Sequence, residues 1–404
     1  MTKIRFEKSF TQQEGIPEEG IQLAIKLMRS GRLHRYNLEA NEESQASLLE
    51  KEFSLWQGVK YCVACASGGY AIQLALRTCG VRLGDKVLAN AYTLAPVPGA
   101  IHNVGAHPIF VEIDGNYHID LFDLEKKATS SKAKFLLLSH MRGHIANMDK
   151  ITEICQKNKL TMIEDCAHTM GSKWNGIRSG NFGKVSAFST QTYKHINSGE
   201  GGFLTTNDAE LAAKAVVSSG SYMLYERHGA IPSDKVFRNI RLEAPNYSGR
   251  MDQMRASILR SQLPKLEKNI KRWNILYDTL SEKLCEIDGI TIPNRSKKES
   301  YVGSSIQFKV TNLDSESIPK FVKSCLSRGV DLKWFGDKEP KAFTSRYDSW
   351  TYIKNVPVLT KTLSVLEKTI DMRIPLTFSK EDCAIIAKII GSEISQYNLN
   401  SSSR

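Results

Sequence analysis

The chain has 404 residues, of which 41% are hydrophobic and 24% charged, a composition typical of soluble globular proteins. No apolar run approaches the ~18 residues of a membrane-spanning helix, and the opening residues MTKIRFEKSFTQQEG lack the apolar segment of a secretory signal. We therefore predict a cytoplasmic protein without membrane contact, long enough for two domains.

The formal net charge is +12, which raises the question of an anionic partner. Lysines and arginines are interleaved with acids, as in KLEKNIKRW (Lys265–Trp273), and no nucleic-acid-binding motif accompanies them. We predict a solvated basic surface and do not expect a nucleic-acid partner. A surface of this charge would also attract an anionic small substrate, such as a sugar phosphate or a sugar nucleotide.

Two motifs could suggest a metal site. Cys62 and Cys65 have CxxC spacing, but they lie in a predicted strand, where residues three apart point to opposite faces. His140 and His144 (HMRGH) lack the glutamate of a zinc-protease helix, and Gly143 indicates a loop. We predict no metal site and no disulfide framework among the eight cysteines.

Hydrophobic periodicity predicts an alternation of helices and strands. The predicted helices are 21–28, 44–56, 70–76, 97–103, 121–128, 148–157, 209–217, 266–285 and 318–328. The predicted strands are 61–66, 86–89, 108–112, 135–139, 160–163, 185–188, 290–292 and 304–310. This order predicts an α/β protein with a mainly parallel sheet covered on both faces.

The same pattern suggests four parts of the chain. We predict an N-terminal segment at 1–40, a large domain at 41–265, a smaller C-terminal α/β domain at 266–397 and a flexible tail at 398–404. The large domain contains the alternating strands and helices, and the smaller one begins with the long helix from Leu266.

The first predicted strand of the large domain ends in a glycine turn, Ser67-Gly68-Gly69, and a helix follows. Free backbone N–H groups and the positive end of the helix make such a turn suitable for a phosphate group. Turns of this kind are common, so the motif alone is a weak signal.

The stretch Met162–Phe203 carries the strongest signal. One apolar run ends in Glu164 and Asp165, a second ends in Ser189, and Lys194 follows five residues later. The carboxyl ends of parallel strands form the ligand-binding edge of an α/β sheet. An amine, a carboxylate and phosphate donors at such an edge are what pyridoxal phosphate requires.

This stretch resembles the signature of the DegT/DnrJ/EryC1/StrS family of sugar aminotransferases, in which EDxA(Q/H), a strand ending in FS, a lysine and GEGG follow in this order. The matching residues here are Glu164, Asp165, Ala167, His168, Phe188, Ser189, Lys194 and Gly199-Glu200-Gly201-Gly202. The resemblance implies a fold type I aminotransferase that binds pyridoxal phosphate. It also implies a homodimer with shared active sites.

The resemblance further implies the reaction. Glutamate or glutamine would donate an amino group to a keto sugar, nucleotide-linked or phosphorylated, in amino-sugar, surface-polysaccharide or natural-product biosynthesis. Lys194 would form the Schiff base as a neutral amine. Asp165 would pair with the ring nitrogen, and His168 would contact the ring or its hydroxyl group. Ser189 and Gln191, with the amides of Gly68 and Gly69, would hold the phosphate.

The chain departs from the family pattern at three places. Gly69 replaces the threonine of an SGT turn, and Leu94 stands where an aromatic residue usually stacks on the ring, with Tyr92 two residues earlier. Ser248 aligns with the asparagine that reaches the neighbouring subunit's cofactor, whereas Asn246 lies two residues upstream. Both are candidates for that contact.

Two other functions stay open at this point. One is a sugar dehydratase that uses the same cofactor, which lysine at position 194 disfavours because such relatives carry histidine there. The other is a cofactor-binding regulator that contacts nucleic acid, which the net charge of +12 motivates.

The choice of sugar depends on loops. We predict substrate contacts from Arg32–Asn41, Ser219–Asp234 and Lys333–Trp350. The last loop contains cations beside aromatics, which would suit an anionic acceptor or else pack as an ordinary small-domain loop: Lys333, Arg346, Trp334, Phe335, Tyr347 and Trp350.

Overall fold

Strands and helices alternate through most of the chain in the computed structural model, which describes residues 4–221 and 223–401. The helices are α1 Glu18–Ser30, α2 Gln45–Gln57, α3 Gly68–Thr78, α4 Pro96–Asn103, α5 Leu121–Ser130, α6 Met148–Lys157, α7 Ala209–Ser218, α8 Asp234–Glu243, α9 Gln253–Gln262, α10 Leu266–Cys285, α11 Ser317–Ser327, α12 Thr360–Glu367 and α13 Lys380–Ser401. The strands are β1 Tyr61–Cys65, β2 Lys86–Asn90, β3 His107–Val111, β4 Phe135–Ser139, β5 Thr161–Asp165, β6 Lys173–Trp174, β7 Ile177–Arg178, β8 Val185–Ser189, β9 Gly202–Thr206, β10 Ile290–Thr291, β11 Glu299–Ser300, β12 Ser305–Val310, β13 Lys333–Trp334 and β14 Thr369–Arg373.

The main sheet has seven strands in the order β1-β9-β8-β5-β4-β2-β3. Its strands pair in parallel from β3 to β8. Strand β9 is antiparallel to both of its neighbours, β8 and β1, because the chain reverses between β8 and β9 in the loop that carries Lys194 and ends in the glycine-rich turn. The predicted mainly parallel α/β sheet is therefore confirmed.

Helices cover both faces of this sheet, which explains why its strands are nearly continuous apolar runs. All five residues of β4 are buried. In β1, Cys62 packs into the core on one face and Cys65 into the core on the other. The two cysteines therefore lie on opposite faces of the strand, as predicted, and both thiols are free.

A second, antiparallel sheet has the order β10-β12-β14-β13. Helices α10, α11 and α13 pack on it through one apolar core that also includes residues before position 265, such as Phe53 and Phe188. A third sheet, β11-β6-β7, consists of two-residue strands that sequence periodicity did not reveal. The division into domains 41–265 and 266–397 stays a prediction.

The two ends of the chain are also packed or helical where they are described. Phe6 and Phe10 lie edge-on against Phe378, with ring centroids 5.1 and 5.0 Å away. The tail predicted to be flexible begins inside α13, which continues to Ser401, and residues 402–404 lie outside the described residues. None of the helices described is both long enough and apolar enough to cross a bilayer.

Candidate active site

Polar residues of three strands meet at the carboxyl edge of the main sheet. Ser139 at the end of β4 is the register partner of Asp165 at the end of β5, and Ser189 ends the next strand, β8. Beside them lies a cavity of about 550 Å³. Of the predicted site residues, those that line it are Gly68, Gly69, Leu94, Asp165, His168, Ser189, Gln191 and Lys194.

Lys194 and His168 are in direct contact at the bottom of this cavity. Nζ of Lys194 lies 2.7 Å from Nε2 of His168. Burial, and then the nearby charge of Arg142, lower the pKa of Lys194 to about 7. Burial and the charge of Lys194 also hold the pKa of His168 well below its ordinary value. Both side chains are therefore largely or partly neutral near pH 7, as a lysine nucleophile requires.

Asp165 is held in one orientation by two donors. The hydroxyl of Ser139 donates to Oδ2 at 2.8 Å, and the backbone N–H of Ala167 donates to Oδ1 at 3.1 Å. The residue is 5% exposed. A carboxylate fixed in this way at the end of a central strand can accept a further hydrogen bond from a protonated ring nitrogen.

The glycine turn packs directly on the end of β8. A Cβ added at Gly68 would lie 2.6 Å from Cβ of Ser189, and one at Gly202 would lie 2.7 Å from the amide nitrogen of Gly68. Only glycine allows these approaches, which bring the first turn of α3 against the Ser189 hydroxyl. Ser67 caps that helix by accepting the N–H of Tyr70 at 3.0 Å.

This donor set fits pyridoxal phosphate. The start of α3 and the Ser189 hydroxyl offer donors to a phosphate, Asp165 offers an anion, and Lys194 offers a neutral amine. Gln191 lines the same cavity, although its Oε1 accepts the N–H of Tyr193 at 3.0 Å and so also holds its own loop.

Leu94 lines the cavity where the family usually has a stacking aromatic. Tyr92 does not line the cavity, and its ring packs against Tyr117 and Phe335, at 5.5 and 5.0 Å, in a cluster against which Leu94 also packs. Leu94 is one of the apolar residues of the cavity wall that can cover a ring.

The chain does not bring Asn246 or Ser248 into this cavity. Both are exposed, and Oδ1 of Asn246 accepts the N–H of Ser248 at 2.9 Å. The hydroxyl of Ser248 accepts a hydrogen bond from Arg250 at 3.0 Å. Their predicted contact is with a partner subunit's cofactor, and it stays a prediction.

Glu164 and His140 contact each other and neighbouring loops and do not line the cavity. Glu164 accepts backbone N–H groups from Gly180 at 2.9 Å and Phe182 at 2.8 Å, and Nε2 of His140 lies 3.0 Å from its Oε2. His144 contacts Oε1 of Gln307 at 2.7 Å. These contacts hold the loops after β4 and β5 in place.

The loop Lys333–Trp350 reaches the cavity differently from the prediction. Of its six predicted residues, only Trp350 lines the cavity. Lys333 lies 2.9 Å from Asp331, and Nε of Arg346 donates to Asp348 at 2.9 Å, so both cations have local partners. The cavity wall is formed instead by Pro340, Ala342, Phe343, Thr344 and Ser345.

Two arginines in the site were missed by sequence reasoning. Arg142, between the two histidines of HMRGH, and Arg373, at the end of β14, both line the cavity of Lys194. Arg142 has φ 54°, a left-handed conformation that is uncommon outside glycine and often marks functional residues. The two arginines are far apart in the sequence and share no motif. They meet because the second sheet, which carries Arg373, packs beside the loop that carries Arg142.

Comparison with known proteins agrees with this geometry. Residues 16–389 match the DegT/DnrJ/EryC1/StrS aminotransferase family. The chain belongs to this family. The predicted family is thus confirmed over most of the sequence.

Individual relatives cover less of it. The chain is 33% identical over 226 residues to UDP-N-acetyl-3-dehydro-alpha-D-glucosamine 3-aminotransferase of Acidithiobacillus ferrooxidans, a match that spans 55% of this chain and 57% of the relative. It is 33% identical over 222 residues to a pleiotropic regulatory protein of Geobacillus stearothermophilus, spanning 54% of this chain and 56% of the relative. The matched part is therefore little more than half the length of these relatives.

Solved structures confirm the fold over the whole length. The structure of 3-amino-5-hydroxybenzoic acid synthase superposes with a TM-score of 0.83 and 20% sequence identity, covering 98% of this chain and 100% of the other. The predicted fold type I architecture is confirmed.

Proposed function

We propose that the protein is a pyridoxal-phosphate-dependent aminotransferase that moves an amino group from glutamate or glutamine to a keto sugar. The observation that carries this proposal is the partly buried contact of Lys194 with His168, in one cavity with Asp165 and the glycine turn at Gly68. Membership of an aminotransferase family supports it. The product would enter amino-sugar, polysaccharide or natural-product biosynthesis.

The side chains divide the work in the following way. When bound, pyridoxal phosphate supplies an electron sink that lets the Cα–H bond of the amino donor break. Lys194, with its pKa lowered to about 7, takes that proton and returns it. Asp165 keeps a proton on the ring nitrogen, since its carboxylate is fixed by Ser139. The amides at the start of α3 and the Ser189 hydroxyl bind the phosphate.

A dehydratase is a weaker candidate. Such relatives carry histidine at the position of Lys194, and the adjacent His195 does not replace it. Nε2 of His195 lies 3.1 Å from the hydroxyl of Ser304, and its ring packs edge-on against Trp273. His195 does not contribute to the 550 Å³ cavity.

A regulator that contacts nucleic acid is the second candidate, favoured by the net charge of +12 and by the name of one relative. Two measurements distinguish the regulator from the aminotransferase. A regulator should bind duplex DNA with a steep dependence on salt concentration, whereas an aminotransferase should convert its cofactor when glutamate or glutamine is added.

We also propose a cytoplasmic homodimer whose subunits complete each other's sites. The support is the position of Asn246 and Ser248, which are exposed and do not line the cavity of their own chain.

For the acceptor, we propose a nucleotide-linked or phosphorylated keto sugar held partly by residues 340–345 and Trp350 of the cavity wall. The relative from Acidithiobacillus ferrooxidans is named for such a UDP-linked ketone.

The deciding experiment follows the absorbance of the protein loaded with pyridoxal phosphate. The visible band should be absent in Lys194→Ala, should disappear from the wild type with glutamate or glutamine, and should return with a suitable keto sugar. Sugar nucleotides, sugar phosphates and neutral keto sugars are compared as acceptors. A Lys194→Ala variant that keeps the band contradicts the proposal, and recovery with neutral sugars alone contradicts the anionic acceptor.

A further inference from the structure

Two arginines and the predicted catalytic pair surround one small space. A cavity of about 30 Å³ beside the main one is lined by Arg142, His168, Lys194 and Arg373, among others. All four residues also line the main cavity. Any group held between the arginines therefore lies next to the Lys194 amine.

The arginines carry more charge than their surroundings neutralise. Nη2 of Arg142 lies 2.8 Å from Oδ2 of Asp371, and the other oxygen of Asp371 accepts a hydrogen bond from Gln307 at 2.7 Å. Arg373 follows Asp371 by two residues on β14 and so shares its face. Within residues 4–221 and 223–401, no carboxylate lies within 4.0 Å of the Arg373 guanidinium.

The Arg142 guanidinium also keeps a donor that the described residues do not use. Nε of Arg142 is buried without a hydrogen-bond partner among the described residues, and Arg142 is 7% exposed. The guanidinium carbon of Arg373 lies 3.5 Å from the centroid of the Tyr193 ring, and both residues line the main cavity. A buried cationic donor such as Nε of Arg142 is stabilised by an anion that accepts from it.

The anion at this place is distinct from the cofactor phosphate. The phosphate donors belong to the start of α3 and to the end of β8, whereas Arg142 follows β4 and Arg373 ends β14 of the second sheet. A planar guanidinium fork matches a carboxylate through two parallel hydrogen bonds. In an α-amino acid, the carboxylate is bonded to the carbon that loses its proton, so it must lie close to the base.

We propose, resting on the proposed function, that Arg373 and Arg142 bind the α-carboxylate of the amino donor, with Asp371 positioning Arg142. The positive charge of both arginines also lowers the pKa of Lys194 further, after the larger effect of burial. Binding of the carboxylate offsets that charge when the donor arrives.

The test uses the holoenzyme and two readouts. The first is the rate of cofactor conversion with L-glutamate and with L-isoglutamine, in which an amide replaces the α-carboxylate. The second is the binding of glutarate, a dicarboxylate that cannot react, measured by calorimetry. We expect Arg373→Gln to lower the conversion efficiency with glutamate and the glutarate affinity by about 100-fold each, and to abolish the preference over isoglutamine. Arg373→Lys should restore part of both.

Controls separate this effect from a general loss of charge or fold. Arg82→Gln removes an exposed arginine that lines none of the cavities described here, and it should change neither readout. Arg142→Gln should show a similar loss, but it also leaves Asp371 without its ion pair, so Arg373→Gln is the decisive variant.

The outcomes distinguish the binding of the α-carboxylate by Arg373 and Arg142, here called the carboxylate clamp, from the proposed function. If no amino acid converts the wild-type cofactor, the proposed function fails, while glutarate binding that Arg373→Gln loses still supports the carboxylate site. If Arg373→Gln keeps the preference for glutamate and reacts within twofold of the wild type, the clamp is overturned. A defect confined to the second half-reaction would overturn the assignment to the donor in favour of an acidic acceptor.

Discussion

Nζ of Lys194 lies 2.7 Å from Nε2 of His168, in a site where burial lowers the pKa of both groups. A lysine in water is protonated at neutral pH, whereas this one titrates at about 7. The contact therefore joins a lysine that can exchange a proton near physiological pH to an imidazole whose pKa is held well below its ordinary value. It ties the strand end that carries Asp165 to the loop after β8.

The first prediction follows from the pKa of Lys194. The value falls from 10.5 to about 7 on folding, so between these pH values the unfolded chain binds the extra proton and the folded chain does not. Stability from this group therefore rises with pH across that interval. In the cofactor-free protein, Lys194→Met should be more stable than the wild type at pH 7, by a few kcal/mol at most, and lose that advantage by pH 10.

Denaturant unfolding at about pH 7, 8.5 and 10 measures the difference in the free energy of unfolding between Lys194→Met and the wild type directly. Lys60→Met, at an exposed lysine, should show no such pH-dependent difference. A constant offset between Lys194→Met and the wild type at all three values would show that the lysine is charged in the folded protein.

The parts of this structure that could be predicted are those with strong local patterns. Strand β4 and helices α6 and α10 have the bounds that periodicity predicted, because a buried apolar run or a sustained amphipathic repeat leaves little ambiguity. Asp165 and Ser189 were predicted to lie near each other because each ends a strand, and the carboxyl ends of parallel strands meet at one edge of the sheet.

The parts that could not be predicted depend on contacts between distant segments. Arg142 and Arg373 meet only because β14 of the second sheet approaches the loop after β4. The loop cations Lys333 and Arg346 pair with aspartates two residues away, which a count of cations beside aromatics does not reveal.

The second prediction concerns the glycine turn. In Gly68→Ala the new methyl group would lie 2.6 Å from Cβ and 3.0 Å from Cα of Ser189, so the turn and the end of β8 must separate. We expect a loss of about 1–3 kcal/mol in stability and at least tenfold weaker retention of pyridoxal phosphate (roughly the loss of one or two hydrogen bonds). Gly69→Ala is the matched control, since its nearest neighbour is Cβ of Pro96 at 3.9 Å. Equal stability and equal cofactor retention in the two variants would contradict the predicted phosphate site at the glycine turn.

The third prediction separates two neighbouring carboxylates. Asp165→Asn keeps the size of the side chain but removes the charge that holds a proton on the cofactor ring, so turnover should fall by about 100-fold or more with little change in stability. Glu164→Gln should do the reverse, because its amide N–H₂ group would replace one of the two oxygens and face the backbone donor of either Gly180 or Phe182. We expect it to lose about 2–4 kcal/mol of stability. Turnover and denaturant unfolding of both variants decide, and a stable, inactive Glu164→Gln would show that the roles are reversed.

The fourth prediction concerns the sharing of active sites between subunits. Asn246 and Ser248 are exposed and outside the cavity of their own chain, so their loss should damage only the partner's site. Lys194→Ala and the double variant Asn246→Ala/Ser248→Ala should each be inactive or nearly so. When the two are co-expressed, half of the dimers are mixed, and each mixed dimer has one intact site, so activity should recover to about one quarter of the wild type. Recovery requires shared sites, since in an unshared arrangement every site keeps one of the two defects. Full activity of the double variant alone would show instead that neither residue takes part.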